Sequence, residues 1–363
     1  MKIVVTGTRG IPNIQGGIET HCEELYPRLS RLGFDVKLVR RSWYISPTDK
    51  LKEFNGVKLT TLYAPHIEGL EGFMHTFLAI IWAKSQNADI IHLHAIGPAI
   101  MSPFARFLGL KVVYTHHGFD YDRAKWGRFA KFVLRIGERL GTFAANEVIV
   151  ISSIIQESLI KKYNRKNTHL IFNGVNAPVY VKQSEYIESL GLQPRMYIMA
   201  LGRFVEEKGF DYLIRAFSKI KNQNHRLVIA GDSDHETEYS KQLKEFAKAN
   251  NVVLPGFVKG KKLQELFSHA RLFVMPSFHE GLPISLLEAM SYDLPVLVSD
   301  IPANKQISLP ENRFFKTGNE DSLIRGLEQQ LNHNFELVKY DLTPYNWDNI
   351  ALQTKTVYEQ VMK

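Results

Sequence analysis

One cysteine, Cys22, stands in 363 residues, so no disulfide framework holds this chain, and such sparing use of cysteine points to a reducing compartment. No Cys/His cluster has the spacing of a zinc site. No run of about eighteen uncharged apolar residues occurs, and the apolar stretch from Phe73 to Ala83 is too short to cross a bilayer. The opening MKIVVTG reads as a strand and not as a signal peptide. Low-complexity segments and short repeats are also missing. What is present is a chain that is 45% hydrophobic, long enough for two domains and two cores.

Acidic residues are scarce in one half only. The formal net charge is +8; residues 1–175 hold 23 Lys and Arg against 14 Asp and Glu, and the rest hold 22 against 23. The excess in the first half points to a polyanionic partner, nucleic acid or an acidic membrane surface. No RNP, KH, zinc-finger or helix-turn-helix pattern accompanies it, which disfavours nucleic acid.

Strand and helix signals alternate through the first half. Apolar, β-branched runs at 3–7, 35–40, 88–94, 111–117, 147–152 and 169–174 read as strands, and Glu19 to Leu32 has helical spacing ending at Gly33. Residues 176–194 break the pattern and read as a linker. The pattern restarts with strands at 196–202, 226–232, 252–256, 271–277 and 295–300, separated by helices over 211–221, 239–250, 261–269 and 284–292. The expectation is α/β: two doubly wound, Rossmann-like domains, 1–175 and 195–344, with binding residues beyond the carboxyl ends of the strands. Two such rims facing each other would make a cleft.

Candidate residues fall at those rims. GTRGIPNIQGGIE (7–19) follows the first strand and opens a helix, where glycines let backbone approach a phosphate; a glycine turn needed only for its bend is the plain alternative. It is neither G-x-G-x-x-G nor a P-loop. GRFVEEKG (202–209) sets Arg203 and Lys208 after a strand, where two cations can neutralise a diphosphate, or simply pair with Glu206 and Glu207. HEGLPISLLE (279–288) puts Glu280 in a loop, Pro283 in the first helical turn and Glu288 deeper in the helix, amid apolar neighbours that make an unbonded carboxylate costly. The free N–H groups of Gly281 to Ser285 can face an anion. His117, after the strand KVVYT, can orient a substrate hydroxyl or be structural. The triplets Asp120-Tyr121-Asp122 and Asp232-Ser233-Asp234 could hold a metal, but post-strand acids more commonly cap turns, so no metal site is expected. Residues 122–141 are amphipathic, with Phe129, Phe132, Val133, Ile136 and Leu140 on one stripe and Arg123, Lys125, Arg128, Lys131, Arg135 and Arg139 around it. That helix could lie on an anionic bilayer or pack its stripe on its own sheet.

Taken together these residues resemble the retaining glycosyltransferases of the GT-B class, family 4, over nearly the whole chain. The resemblance lies in GGIETHCEELYPRLSRLGFDV, ALGRFVEEKGFDYLIRAF, the long block GFVKGKKLQELFSHARLFVMPSFHEGLPISLLEAMSYDLPVLVSD and the closing YNWDNIALQTKTVYEQVM. GTRGIPNIQGG, THHGFDYDRAKWG and SDIPAN resemble a bacterial subgroup that builds surface polysaccharides and includes rhamnosyltransferases. Asp293 departs from the pattern, which often has glycine there.

The resemblance implies that Glu288 binds ribose hydroxyls and Glu280 the donor sugar. Arg203 and Lys208 would hold the diphosphate, with backbone from Gly16, Gly17 and Gly202. His117 would lie near the reacting sugar, and Gly256, Phe257 and Val258 near the base. Gly281, Leu282 and Pro283 would complete the donor site. It implies a helix over 345–363 returning to the first domain, a nucleoside diphosphate sugar as co-substrate, and no cofactor or metal. The acceptor would be a saccharide, on a lipid diphosphate carrier. The place would be the cytoplasm, with peripheral contact at the inner face of the membrane. A sugar-nucleotide epimerase of the same architecture, or a non-catalytic nucleotide-sugar-binding protein, shares most of these features.

Overall fold

The computed structural model describes every residue except 68, 124, 125, 222 and 223, so Lys125 of the basic helix lies outside the described residues. The chain divides into two compact units, Met1–Gly174 with Tyr345–Lys363, and Val175–Pro344.

The first unit is built on an eight-stranded sheet. Its strands are β1 (Lys2–Thr6), β2 (Asp35–Arg41), β3 (Glu53–Phe54), β4 (Val57–Leu62), β5 (Ile90–His94), β6 (Lys111–His116), β7 (Glu147–Val150) and β8 (His169–Leu170), in the order β3-β4-β2-β1-β5-β6-β7-β8. Among the described residues only the β3–β4 hairpin is antiparallel. The central strands are mostly apolar and, past their first residues, buried on both faces, as a covered parallel sheet requires, with His92 and His94 on β5 and His116 on β6 as buried polar exceptions. Cys22, Leu25 and Leu29 of the helix Gly17–Arg31 pack into the same core as Trp347, Ile350 and Tyr358 of the helix Trp347–Met362. Gly174 makes room for this return: a Cβ there would come within 2.4 Å of the Trp347 indole.

The helix Arg128–Ala144 splits the expected apolar stripe: Val133, Ile136 and Leu140 are half-buried, while the two phenylalanines are exposed. Its buried face is Gly137, Glu138, Gly141 and Thr142, not the phenylalanine stripe. Added Cβ atoms at Gly137 and Gly141 would come within 2.3 Å of the Ile96 carbonyl oxygen and 2.6 Å of Ala99, so these glycines let the helix approach the segment Ile96–Ala99 closely. Phe129 and Phe132 remain 79% and 59% exposed. The apolar stretch around Phe73 lies in the helix Leu70–Ser85; among the described residues no helix is long and apolar enough to cross a membrane.

The second unit has five parallel strands, β9 (Tyr197–Leu201), β10 (Arg226–Ala230), β11 (Leu272–Met275), β12 (Val296–Ser299) and β13 (Phe314–Phe315), in the order β10-β9-β11-β12-β13. The expected strand at 252–256 reduces to one bridge between Val228 and Val253. Pro255 has no N–H to donate and Gly256 turns the backbone to φ +74°, so the ladder cannot continue. Residues 176–194, expected as a linker, form part of this unit. They contain the short helix Glu185–Ser189, and the backbone N–H groups of Val181 and Ile187 donate to Ser268 and Glu265.

Candidate active site

In the second unit the loop after β9 is pinned by a glycine. Gly209 has φ +64°, and a Cβ there would lie 2.6 Å from the Pro276 carbonyl oxygen. The loop therefore fits tightly against the one after β11, where the Phe278 N–H donates to the Glu207 carbonyl at 2.8 Å. That fit brings Lys208 Nζ to 2.6 Å from Glu280 Oε1. Burial works to raise the Glu280 pKa, but the Lys208 ammonium, the Ser277 hydroxyl and nearby His279 outweigh it and hold the carboxyl below the usual carboxylate range.

Arg203 does not pair with Glu206 or Glu207. Its Nη1 lies 2.8 Å from Asp234 Oδ2, in the loop after β10. The other acid of that triplet, Asp232, pairs with Lys244 at 2.7 Å, and Asp120 of the first triplet with Arg123 at 2.9 Å. The Gly202 N–H continues the sheet by donating to Ala230, and Gly231 donates to Gly256, which draws the Gly256–Phe257–Val258 turn to the end of β10. Phe257 is exposed there and Val258 buried.

The helix after β11 runs from Ile284 to Ser291, with Pro283 as its cap, one position earlier than expected. Glu288 sits in its second turn and is half-buried, so it is less enclosed than its apolar neighbours suggested. Leu282 is buried, and Gln306 Nε2 donates to the Gly281 carbonyl at 3.1 Å. Asp234 and Gln306 thus contact candidate residues without having been singled out for it in the sequence, whereas Ser277 opens a rim stretch, Ser277 to Gly281, that the sequence does mark. Asp234 was visible only as half of a metal-type triplet, and Gln306 carries no pattern at all.

In the first unit Gly16 caps the helix Gly17–Arg31 at φ +151°. A Cβ at Gly16 would fall 2.0 Å from Glu19 Oε2, whereas at Gly17 it would meet nothing within 4 Å. Glu19, buried and also unforeseen, folds back across the loop and accepts from the Thr8 hydroxyl at 3.2 Å and the Arg9 N–H at 3.0 Å.

His117 has a partner that the sequence did not announce. Its Nε2 is 2.8 Å from Nδ1 of His94, and His21 joins them, the three offering nitrogens within 4.8 Å of one another. Burial lowers every imidazole here: His21 to about 4, His92 to about 3, and His94 and His117 well below the ordinary value, helped by one another. The signal was in IIHLH, where two polar residues alternate through a strand with no solvent-facing side.

The two halves of the chain match two glycosyltransferase models, "Glycosyltransferase Family 4" over residues 15–177 and "Glycosyl transferases group 1" over residues 182–340. The chain is a GT-B-fold glycosyltransferase. It is 27% identical to an uncharacterized glycosyltransferase, MJ1607, of Methanocaldococcus jannaschii, over 100% of this chain and 99% of that one. A UDP-Gal:alpha-D-GlcNAc-diphosphoundecaprenol alpha-1,3-galactosyltransferase of Escherichia coli is 28% identical over 67% of this chain and 66% of its own. Among solved structures, a sucrose-phosphate synthase from Thermosynechococcus elongatus superposes on this glycosyltransferase with a TM-score of 0.81 at 20% identity, over 99% of both chains. Anabaena Alr3699/HepE in complex with UDP-glucose gives 0.76 at 18% identity, over 100% of this chain and 98% of that one.

Proposed function

We propose that this glycosyltransferase moves a hexosyl group from a nucleoside diphosphate sugar to a saccharide hydroxyl, with retention at the anomeric carbon and without a metal ion. The product would belong to a surface polysaccharide such as capsule, O-antigen or exopolysaccharide. The observation that carries the reading is the Lys208–Glu280 pair: a cation and a carboxylate 2.6 Å apart on neighbouring rim loops, beside the N-terminus of the helix Ile284–Ser291. Such a site meets a diphosphate with Lys208, Arg203 and the N-terminal backbone of that helix, and a sugar hydroxyl with Glu280. Glu288 takes the ribose hydroxyls, and Gly256 to Val258 take the base. Gly16, Gly17 and His117 are assigned to the diphosphate and the reacting sugar by the family resemblance.

In the reaction the bond from C1 to the diphosphate breaks and a bond from C1 to the acceptor oxygen forms on the same face. The acceptor proton passes to the departing phosphate oxygen. Arg203 and Lys208 stabilise the negative charge that grows on that leaving group. Metal independence is supported by three of the four acids of the D-x-D triplets, since Asp120, Asp232 and Asp234 each face a cation of the protein itself.

The Escherichia coli relative, named for a lipid-diphosphate-linked acceptor, and HepE, solved with UDP-glucose, support a lipid-linked acceptor and a uridine nucleotide. Phe129, Phe132 and Phe143 stand exposed on a helix that also carries Arg128, Arg135 and Arg139. That surface suits peripheral contact with the anionic inner face of the cytoplasmic membrane.

The test is calorimetric titration with UDP, GDP and dTDP, repeated on Glu288→Ala. Micromolar binding of one nucleotide, lost in the variant, supports the donor site; binding of none sinks it. Transfer that survives EDTA and gives a product with the donor's anomeric configuration supports the mechanism. Conversion of the sugar nucleotide with no acceptor present would point to an epimerase instead.

A further inference from the structure

Behind His117 the first unit buries further imidazoles, His21, His92 and His94, to which the proposed reaction gives no part. His92 and His94 lie two positions apart on β5, so both rings project from one face of the strand and stack at 4.4 Å. Each is tied at both nitrogens. Thr115 Oγ1 is 2.7 Å from His92 Nε2, and the Tyr358 hydroxyl is 2.6 Å from His92 Nδ1. The Tyr26 hydroxyl bridges the two rings, 3.0 Å from His92 Nδ1 and 2.5 Å from His94 Nε2. His94 Nδ1 then reaches His117 Nε2 at 2.8 Å. All of these groups are buried except His117, which keeps partial exposure.

A neutral imidazole has one N–H and one lone pair, so the link between His94 and His117 holds a single proton. Which ring owns it is decided at the other side of His94. Hydroxyl donors make the shorter contacts, and Tyr26 lies nearer to His94 than to His92, so Tyr26 donates to His94 Nε2. The His94 proton must then sit on Nδ1 and point at His117 Nε2. That leaves the proton of His117 on Nδ1. We propose that Tyr26 and His94 are positioning residues that lock His117 in its Nδ1–H tautomer, so that it offers the sugar a hydrogen-bond donor and not a base. The role toward the sugar rests on the proposed function; the tautomer does not.

A metal site is the competing use of the same nitrogens. His21 Nε2 is buried without a hydrogen-bond partner, while its Nδ1 lies 3.0 Å from Asn173 Oδ1, an arrangement that suits a ligand. Two nitrogens on a tetrahedral zinc ion, each about 2.0–2.1 Å from it, stand about 3.3 Å apart. The 2.8 Å between His94 and His117 is instead the separation of a shared proton.

The experiment is two-bond ¹H–¹⁵N correlation of the imidazoles in the full-length ¹⁵N-labelled protein at neutral pH. The expected spectrum shows His94 and His117 each as a single Nδ1–H tautomer. Tyr26→Phe, which removes only the hydroxyl, is expected to turn His117 into a mixture of tautomers. It should also lower kcat by about tenfold or more, with KM for the nucleotide sugar unchanged. Thr115→Val removes a partner of His92 Nε2 alone, leaves the Tyr26–His94 link in place and should leave the His117 signals as they are. An Nε2–H or mixed His117 in the unaltered protein overturns the proposal, as does a Tyr26→Phe spectrum identical to it. Titration with Co²⁺ that gives visible absorption bands, lost in His21→Ala, overturns it in favour of a metal. If no nucleotide sugar is turned over but the single Nδ1–H tautomer is present, the relay stands and the functional reading falls.

Discussion

Lys208 Nζ and Glu280 Oε1 lie 2.6 Å apart, with both side chains mostly withdrawn from solvent. Removing one partner strands the other. Lys208→Met is expected to destabilise the second unit by about 3–5 kcal/mol and to abolish transfer, whereas Lys208→Met with Glu280→Leu should recover most of the stability and none of the activity. Thermal unfolding and initial rates of the two variants check this.

The same pair sets a pH dependence. The folded pKa of Glu280 is depressed, so its stabilisation is complete above the ordinary carboxylate value and is lost as pH falls through the lower folded value. Glu138 behaves alike and more strongly. Burial opposes its charge, but His116, the Tyr163 hydroxyl and Lys162 bring its pKa from 4.5 to about 2. Its contribution should be full above pH 4.5 and fade toward pH 2. Glu138→Gln should therefore lower stability at neutral pH, and the gap to the unaltered protein should close as the solution is acidified through that window.

Gly209 combines left-handed backbone with a carbonyl where its Cβ would be. Gly209→Ala should cost roughly 1–2 kcal/mol from the backbone alone, with more from the collision with Pro276, and should move Lys208 away from Glu280. Reduced affinity for the nucleotide, read by calorimetry, would accompany a lowered Tm.

Phe129 and Phe132 contribute little to the fold. Replacing both with serine should leave Tm within about 1–2 °C, as surface changes do, yet weaken co-sedimentation with anionic vesicles severalfold. Equal sedimentation of the two proteins would remove the membrane from the account.

Much of this was legible in the chain because doubly wound sheets write themselves as short β-branched runs. β1, β5, β6, β9 and β10 are of that kind. β3, two residues long, and β4, half-polar beside it toward the sheet edge, escaped notice, and VVLPG misled because its composition is that of a strand while Pro255 and Gly256 forbid the ladder. The phenylalanine stripe of Arg128–Ala144 misled in another way. Periodicity finds an apolar face, but the face that packs was chosen by Gly137 and Gly141, whose lack of side chains carries no hydrophobic signal. At the candidate site the charged groups could be named from spacing. Their partners could not, since Arg203 with Asp234 and His94 with His117 are joined by strand order and not by sequence separation.

The helix Trp347–Met362 has a consequence for how this protein comes into being. Its Trp347, Ile350 and Tyr358 belong to the core of the first unit, yet they follow 170 residues of the second, Val175–Pro344. During synthesis from the N-terminus, the first unit must wait with that side of its core uncovered, and Tyr358 absent from His92, until the second has been made in full. The later unit is contiguous and can close on its own, so the order of completion is the reverse of the order of translation.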